Sequence, residues 1–259
     1  MNRIDINCDL GEGCSRADCL RDARLMPFIS RCNIACGGHA GNATTMALSL
    51  ENARTHQIIA GAHPGYPDRS NFGRTSLVIS HDELVASLHR QVSELHSIAA
   101  EQEVRLEHLK LHGALYNDVE ASDELAEIIT RFIHEEFPHL KILGLANAAM
   151  ERAAIKFGQP FLREGFMDRR YLSHYRLAPR TMQGSVIEQF GDCLEQVLAL
   201  ARGTPFVSVR GEPLKFSVDS ICLHGDTPGA EKIARELHRQ LQQSGLVVAP
   251  GKPPAGKSS

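Results

Sequence analysis

No apolar run in this 259-residue chain approaches the roughly 18–20 residues that cross a bilayer, so no membrane-spanning helix is expected. The opening residues, Met1-Asn2-Arg3-Ile4-Asp5, lack the apolar stretch of a secretory signal. There is no long basic run and the net charge is -3, which argues against a nucleic-acid footprint and against a polybasic membrane patch. Three catalytic signatures are also missing. Without G-x-x-x-x-G-K-S/T there is no phosphate-cradling loop for a nucleotide. Without G-x-S-x-G there is no nucleophile elbow, and without H-E-x-x-H no tight helical metal motif. No internal repeat or linker divides the chain.

Cysteine is present in an odd number, seven, with no secretory signal, which favours reduced thiols and a cytoplasmic location. Cys14-x4-Cys19 and Cys32-x3-Cys36 are spaced too loosely for a zinc knuckle, and plain buried or surface thiols are the expectation. The composition, 42% hydrophobic and 23% charged, is that of an ordinary globular protein with enough apolar mass for a sizeable core. One barrel domain is expected over residues 1–250, with 251–259 (Gly-Lys-Pro-Pro-Ala-Gly-Lys-Ser-Ser) a disordered tail that has nothing to bury.

Strand-like and helix-like segments alternate along the chain. Strands are expected at Ile4–Cys8, Ile58–Ala60, Leu106–Leu111, Lys141–Leu145 and Phe161–Phe166. Helices are expected at Thr44–His56, Asp123–Phe132, Ala148–Lys156 and Val186–Leu200. Ser80-His81-Asp82-Glu83 has the form of a capping box, opening a helix with Leu84, Leu88, Val92 and Leu95 on one face. Phe206–Val209 and Phe216–Cys222 read as a hairpin around Gly211-Glu212-Pro213. Thr227-Pro228 reads as the cap of a last helix carrying Ile233, Ala234, Leu237 and Leu241 on one side. Such alternation means a mainly parallel sheet, and at this length a closed or distorted (β/α) barrel rather than an open sheet.

The polar residues fall in a pattern. Strand candidates run into Asp9-Leu10-Gly11-Glu12, Cys36-Gly37-Gly38-His39, Gly61-Ala62-His63, His112-Gly113, Asp168-Arg169-Arg170 and His224-Gly225-Asp226. In parallel α/β folds these strand ends share one mouth, where active sites lie. Lys110 precedes His112 by two, which puts both on one side of a strand. His56, His81, His89, His96, His134, His139 and His238 fall on helices or helix ends and are expected at the surface. A mixture of His, Asp, Glu and Lys suits general acid–base hydrolysis of an amide. It equally suits a divalent-metal site that activates water, although no metal ligand set can be assigned from spacing.

Taken together these segments resemble the lactam-utilisation family, the A subunits of bacterial ATP-dependent 5-oxoprolinases. The resemblance rests on Asp5–Glu12, Cys32–Gly41, Gly61–Asp68, Asn71–Arg74, Lys110–Asn117, Glu164–Tyr171 and His224–Asp226, in that order. It implies a distorted barrel similar to carbohydrate-deacetylase barrels. It also implies hydrolysis of 5-oxo-L-proline, or a related lactam, to L-glutamate at the expense of ATP. ATP is then handled by partner B and C subunits, and this chain opens the ring. On that footing Asp9, Glu12, His63, His112 and His224 are the candidate catalytic residues. Asn33, His39, Arg74, Lys110, Asp168, Arg169 and Asp226 are the candidate substrate-binding residues. A stand-alone metal-dependent deacetylase or amidohydrolase, and a non-catalytic substrate-binding subunit, are the alternatives. The chain departs from the family pattern at Gly38, Asn42, Leu111 and Met167, and Asn42 stands where an Asp is usual.

Overall fold

The computed structural model describes residues 2–225 and 229–249. In chain order the elements are β1 (Asn2–Leu10), α1 (Arg16–Ala23), β2 (Arg31–Ala35), α2 (Ala43–His56), β3 (Ile59–His63), α3 (His81–Glu101), β4 (Leu106–Leu109), α4 (Gly113–Ala121), α5 (Asp123–Glu136) and β5 (Lys141–Leu145). There follow α6 (Ala149–Phe157), β6 (Phe161–Phe166), α7 (Phe190–Arg202), β7 (Phe206–Val207), β8 (Pro213–Leu214), β9 (Ser220–Leu223), α8 (Ala230–Gln243) and β10 (Leu246–Val248).

The strands β1-β2-β3-β4-β5-β6-β9 hydrogen-bond in that order, and β9 returns to β1. Every one of these pairings is parallel, from Cys8↔Cys32 on one side of β1 to Asn7↔Cys222 on the other. The result is a closed seven-stranded barrel wrapped by helices, the (β/α) class expected. Beyond the barrel, β10 adds in parallel to the first three residues of β1. Among the described residues no helix is long and apolar enough to cross a membrane.

The helices attach as their sequences demand. Ser80 and Glu83 form the reciprocal capping box at the start of α3, and Leu84, Leu88, Val92 and Leu95 are all buried. Each of those side chains removed from water contributes roughly 1.5–3 kcal/mol. They join Ile4, Ile6, Leu10, Ile34, Leu109 and Ile142 in one apolar layer between barrel and helices. Asn42, one of the departures from the family pattern, caps α2 by accepting the Thr45 N–H. Asn and Asp are equivalent in that role, so this substitution leaves the helix start intact.

Three local expectations are corrected. The hairpin pairs Phe206–Val207 with Pro213–Leu214, and Phe216–Cys222 is not its second arm. Asp219 grips the backbone N–H and guanidinium of Arg163, which brings the chain alongside β6 only from Ser220 onward. The helix expected from Val186 starts at Phe190, because Val186 bridges back to Arg169. The elements α1, α4 and β10 were not anticipated: α1 has a low apolar content, and α4 follows a strand end that reads as loop. Of the surface histidines, His56, His81, His89, His96, His134 and His139 are exposed and His238 is half-buried. Asp226, Thr227-Pro228 and 251–259 lie outside the described residues.

Candidate active site

Strand alternation decides what fills the barrel. Along β1, Ile4, Ile6, Cys8 and Leu10 belong to the apolar layer, so Asp5, Asn7 and Asp9 point the other way, into the barrel. Contacts between strands that are not neighbours confirm it. Arg31 on β2 reaches His108 on β4 at 3.0 Å, and Lys110, just past β4, reaches Asn7 on β1 at 3.2 Å. The barrel interior is therefore polar where branched apolar side chains usually stack.

A continuous column results. At its base the Arg31 guanidinium donates to Asp5 at 2.7 Å. An arginine has only protons to offer, so Nδ1 of His108 accepts and its Nε2–H donates to Asn33 Oδ1 at 2.6 Å. The Asn33 amide in turn donates to Asn7 at 2.8 Å and to Asp9 at 2.7 Å. Lys110 closes the column from above. It is 2% exposed, and its ammonium sits 3.0 Å from Asp9, 2.8 Å from Glu164 and 3.2 Å from Cys222. Tyr116 donates to the other oxygen of Glu164. Burial by itself would discharge Lys110, but Asp9, Cys222 and Glu164 hold it charged, with its pKa above the ordinary lysine range. Burial pushes Asp9 up, but the Lys110 ammonium, by its charge and its hydrogen bonds, draws the pKa back down and the carboxylate stays ionised. Glu164 is pushed up by burial, with Lys110 opposing. Gly61 makes room for this packing, since a Cβ there would stand 2.2 Å from the His108 ring.

Above the column the strand ends gather the histidines. Glu12 Oε1 lies 3.1 Å from His39 Nε2 and 3.3 Å from His112 Nδ1. His63 Nε2 lies 3.0 Å from that same His112 nitrogen and 3.5 Å from Asp9. The His39 and His112 rings stack at 3.5 Å with planes 3° apart, and Phe72 stands edge-on to both. One ligand atom from each of Glu12, His39, His63 and His112 falls within 4.8 Å of the others, a group able to hold a metal ion. Burial drives His39 down to about 3 and His112 down to about 4, and lowers His63 as well, so all three rings are neutral at pH 7. Gly73, at φ 60°, lets its loop press onto the stack, since a Cβ there would meet His39 at 2.8 Å.

Across the mouth stands a second group. His224 Nδ1 donates to both oxygens of Asp168, at 2.9 and 2.8 Å, and its Nε2 faces Arg180 at 3.5 Å. Burial raises Asp168, but the hydrogen bond from His224 more than offsets it and keeps the carboxyl ionised. Between the two groups lies a cavity of ≈ 320 Å³ lined also by Arg74, Arg180 and the buried Arg169.

Of the residues expected at the site, Asp9, Glu12, His63, Arg74, Lys110, His112, Arg169 and His224 line this cavity. His39, Asn33 and Asp168 stand behind them, each hydrogen-bonded to a lining residue. Asn7, His108 and Glu164 were missed. Asn7 and His108 lie two positions before Asp9 and Lys110 on the same strand faces, and that period is the signal that finds them. Glu164 opens one of the segments that carry the family resemblance. Arg180 was missed because it lies in an irregular loop, where no periodicity points to it.

A fold of this kind defines a (β/α)-barrel protein with a mouth rich in histidines and carboxylates. Comparison with known proteins makes this specific: residues 4–255 match the model of the LamB/YcsF family, and the chain belongs to that family. A 5-oxoprolinase A subunit from Chloroflexus aggregans is 38% identical over 248 residues, covering 96% of this chain and 98% of the relative. The namesake from Bacillus cereus is 34% identical over 249 residues, with the same coverages of 96% and 98%. Among solved structures, the lactam utilization protein of Thermus thermophilus superposes with a TM-score of 0.88 at 31% identity, over 95% of this chain and 99% of that one. A fainter likeness in fold, TM-score 0.47 at 9% identity, extends to a family 4 carbohydrate esterase from Streptomyces lividans over 95% of this chain and 91% of that one.

Proposed function

We propose that this chain is the ring-opening A subunit of an ATP-consuming 5-oxoprolinase, a hydrolase acting on the cyclic amide C–N bond of 5-oxo-L-proline. The observation that carries the reading is the cavity itself. A neutral histidine cluster and ionised carboxylates stand on one side, a His–Asp pair on the other, and three arginines complete the lining. The names of the relatives supply the substrate.

The chemistry explains the arginines. A five-membered lactam is a stabilised amide, and a phosphoryl group on its oxygen makes the ring carbon electrophilic. Such an intermediate carries a carboxylate and a phosphate, and arginine binds both in bidentate fashion. Partner B and C subunits perform that ATP-dependent step, in keeping with the absence of a phosphate-cradling loop from this sequence. Here His224, oriented by Asp168, takes a proton from water as it adds to the ring carbon, then returns it to the departing nitrogen as the C–N bond breaks. A second water releases phosphate to leave L-glutamate. Lys110 and Asn33 hold Asp9 ionised at the cavity floor.

The test is glutamate release from 5-oxo-L-proline by the purified chain, alone and mixed with B and C subunits, with and without ATP. Turnover only in the complete mixture is expected. Equal turnover by the chain alone without ATP would replace this reading with a stand-alone amidohydrolase.

A further inference from the structure

We infer that His63 Nε2, His112 Nδ1 and Glu12 form a binding site for one divalent cation of the zinc class, with His39 positioning Glu12. The inference deepens the functional reading just given and concerns the same cavity.

It rests on where the protons must be. His63 Nδ1 lies 2.8 Å from the Lys110 carbonyl oxygen, which can only accept, so that nitrogen carries the hydrogen. His112 Nε2 lies 2.9 Å from the Phe72 carbonyl oxygen, so it too carries the hydrogen. Those two nitrogens are thus taken up by carbonyl oxygens, and the ring nitrogens left to ligate are His63 Nε2 and His112 Nδ1. The latter two face each other at 3.0 Å. Glu12 Oε1, another acceptor, is 3.3 Å from His112 Nδ1, and Asp9 Oδ2 is 3.5 Å from His63 Nε2. Converging acceptors of this kind are the arrangement that a small cation completes, and a proton shared between the two imidazoles is the competing explanation that the test below separates. A backbone carbonyl fixing the tautomer of each ligand imidazole is the usual support of a metal-bound histidine.

The spacing suits a small ion. Metal–nitrogen bonds of about 2.0–2.1 Å in a tetrahedral arrangement put neighbouring ligand atoms about 3.3 Å apart. The two distances here, 3.0 and 3.3 Å, are close to that. Two imidazoles and a carboxylate favour zinc-class ions over magnesium or calcium, which prefer all-oxygen sites. His39 has a different part. Its ring lies flat on His112, so the two rings do not share a plane in which both could ligate one ion. Its Nε2 instead reaches Glu12 at 3.1 Å, fixing the carboxylate. His63, His112 and Glu12 all line the cavity, so the ion would be open to substrate or water there. Bound, such an ion supplies Lewis acidity to an oxygen of substrate or water.

The test uses the whole chain. Metal content of protein purified without chelator is measured by mass spectrometry. Chelator-stripped protein is then titrated with Co2+, reading the visible ligand-field bands and the thermal midpoint. One Co2+ per chain, displaced by Zn2+ and raising the midpoint, is expected. His112→Asn and Glu12→Gln should each weaken Co2+ binding by at least about 100-fold, and His39→Asn by about 10-fold, the lower end of supporting-residue effects. Circular dichroism identifies any variant that has not folded, and the wild-type titration stands without variants. Absence of Co2+ bands and of a midpoint shift, or equal binding by His112→Asn, would overturn the proposal. So would nitrogen NMR showing a proton shared between His63 and His112 at neutral pH in protein that takes up no metal. Undiminished glutamate release by metal-free chain with its partners removes the ion and leaves the ring-opening reading standing. Stoichiometric metal without glutamate release does the reverse.

Discussion

Replacing Lys110 with methionine tests the polar column most directly. Methionine keeps an unbranched side chain one atom shorter and removes the ammonium, with its charge and its hydrogen bonds to Asn7, Asp9 and Cys222. The ammonium lies 3.0 Å from Asp9 and 2.8 Å from Glu164, and each contact is worth about 6 kcal/mol at an effective dielectric of 20. Desolvating the lysine costs several kcal/mol in return, so the net loss on removing it is about 3–5 kcal/mol. The variant has one way to limit that loss, which is to protonate Glu164. Holding a glutamate neutral at pH 7, against an unfolded pKa of about 4.3, costs about 3.7 kcal/mol, and at pH 5 only about 1 kcal/mol. The sign is fixed: a carboxyl whose folded pKa is raised contributes least once pH has risen through that pKa. In the native protein the depressed Asp9 contributes above its unfolded pKa and is lost toward acid. The wild type should therefore exceed Lys110→Met by about 4 kcal/mol at pH 7 and by about 1–2 kcal/mol at pH 5. Urea unfolding at the two pH values reads both numbers. A gap below about 1 kcal/mol at pH 7, or one that does not narrow at pH 5, would show that the column is not held by this charge. Adding Glu164→Gln to the variant should recover much of the loss.

Three further outcomes are expected. Gly61→Ala puts a Cβ onto the His108 ring and should cost at least about 1–3 kcal/mol in urea unfolding, and a cost near zero would mean that the ring has somewhere else to go. Glu120 is buried between the Leu145 and Met150 N–H groups, and burial pushes it up to about 8, so its contribution to stability declines as pH rises from the unfolded pKa through 8. Glu120→Gln should remove that decline, shifting the comparison toward the variant by up to about 4 kcal/mol between pH 5 and pH 8, and parallel stability curves would contradict it. Asp168→Asn keeps the size of the side chain but weakens its hold on the His224 N–H; glutamate release by the complete assembly should fall on the order of 100-fold with no change in unfolding midpoint, whereas unchanged turnover would take this pair out of the reaction.

The sequence exposes the barrel and its mouth because strand alternation and strand ends are local. Ile4, Ile6 and Cys8 mark β1, His63 ends its strand, and His39, His112 and His224 follow theirs within a few residues. What it hides is pairing. The spacing places Lys110 and His112 on one side of a strand, but nothing local says that Glu164, far along the chain on β6, would meet that lysine. His108 carries the same period as Lys110 and still reads as ordinary, since its significance comes from Arg31 and Asn33 on other strands. Arg180 and Arg169 enter through a loop braced by Gln196, whose amide donates to the Phe166 and Arg169 carbonyls from a later helix. The tautomers of His63 and His112 depend on two carbonyl oxygens, and no sequence pattern encodes these.

The charged interior also bears on how the barrel assembles. Asn7 finds Ser220, Arg31 finds His108, and Lys110 finds Glu164 only when strands distant in the chain have come together. A sheet stopped short of β9 would leave the Asn7 amide without its Ser220 acceptor and the barrel open along one side. Half-built forms are thus penalised at the centre rather than at the edges. Closure of the ring should be all-or-none, and a fragment truncated before Ser220 should not persist as an open sheet.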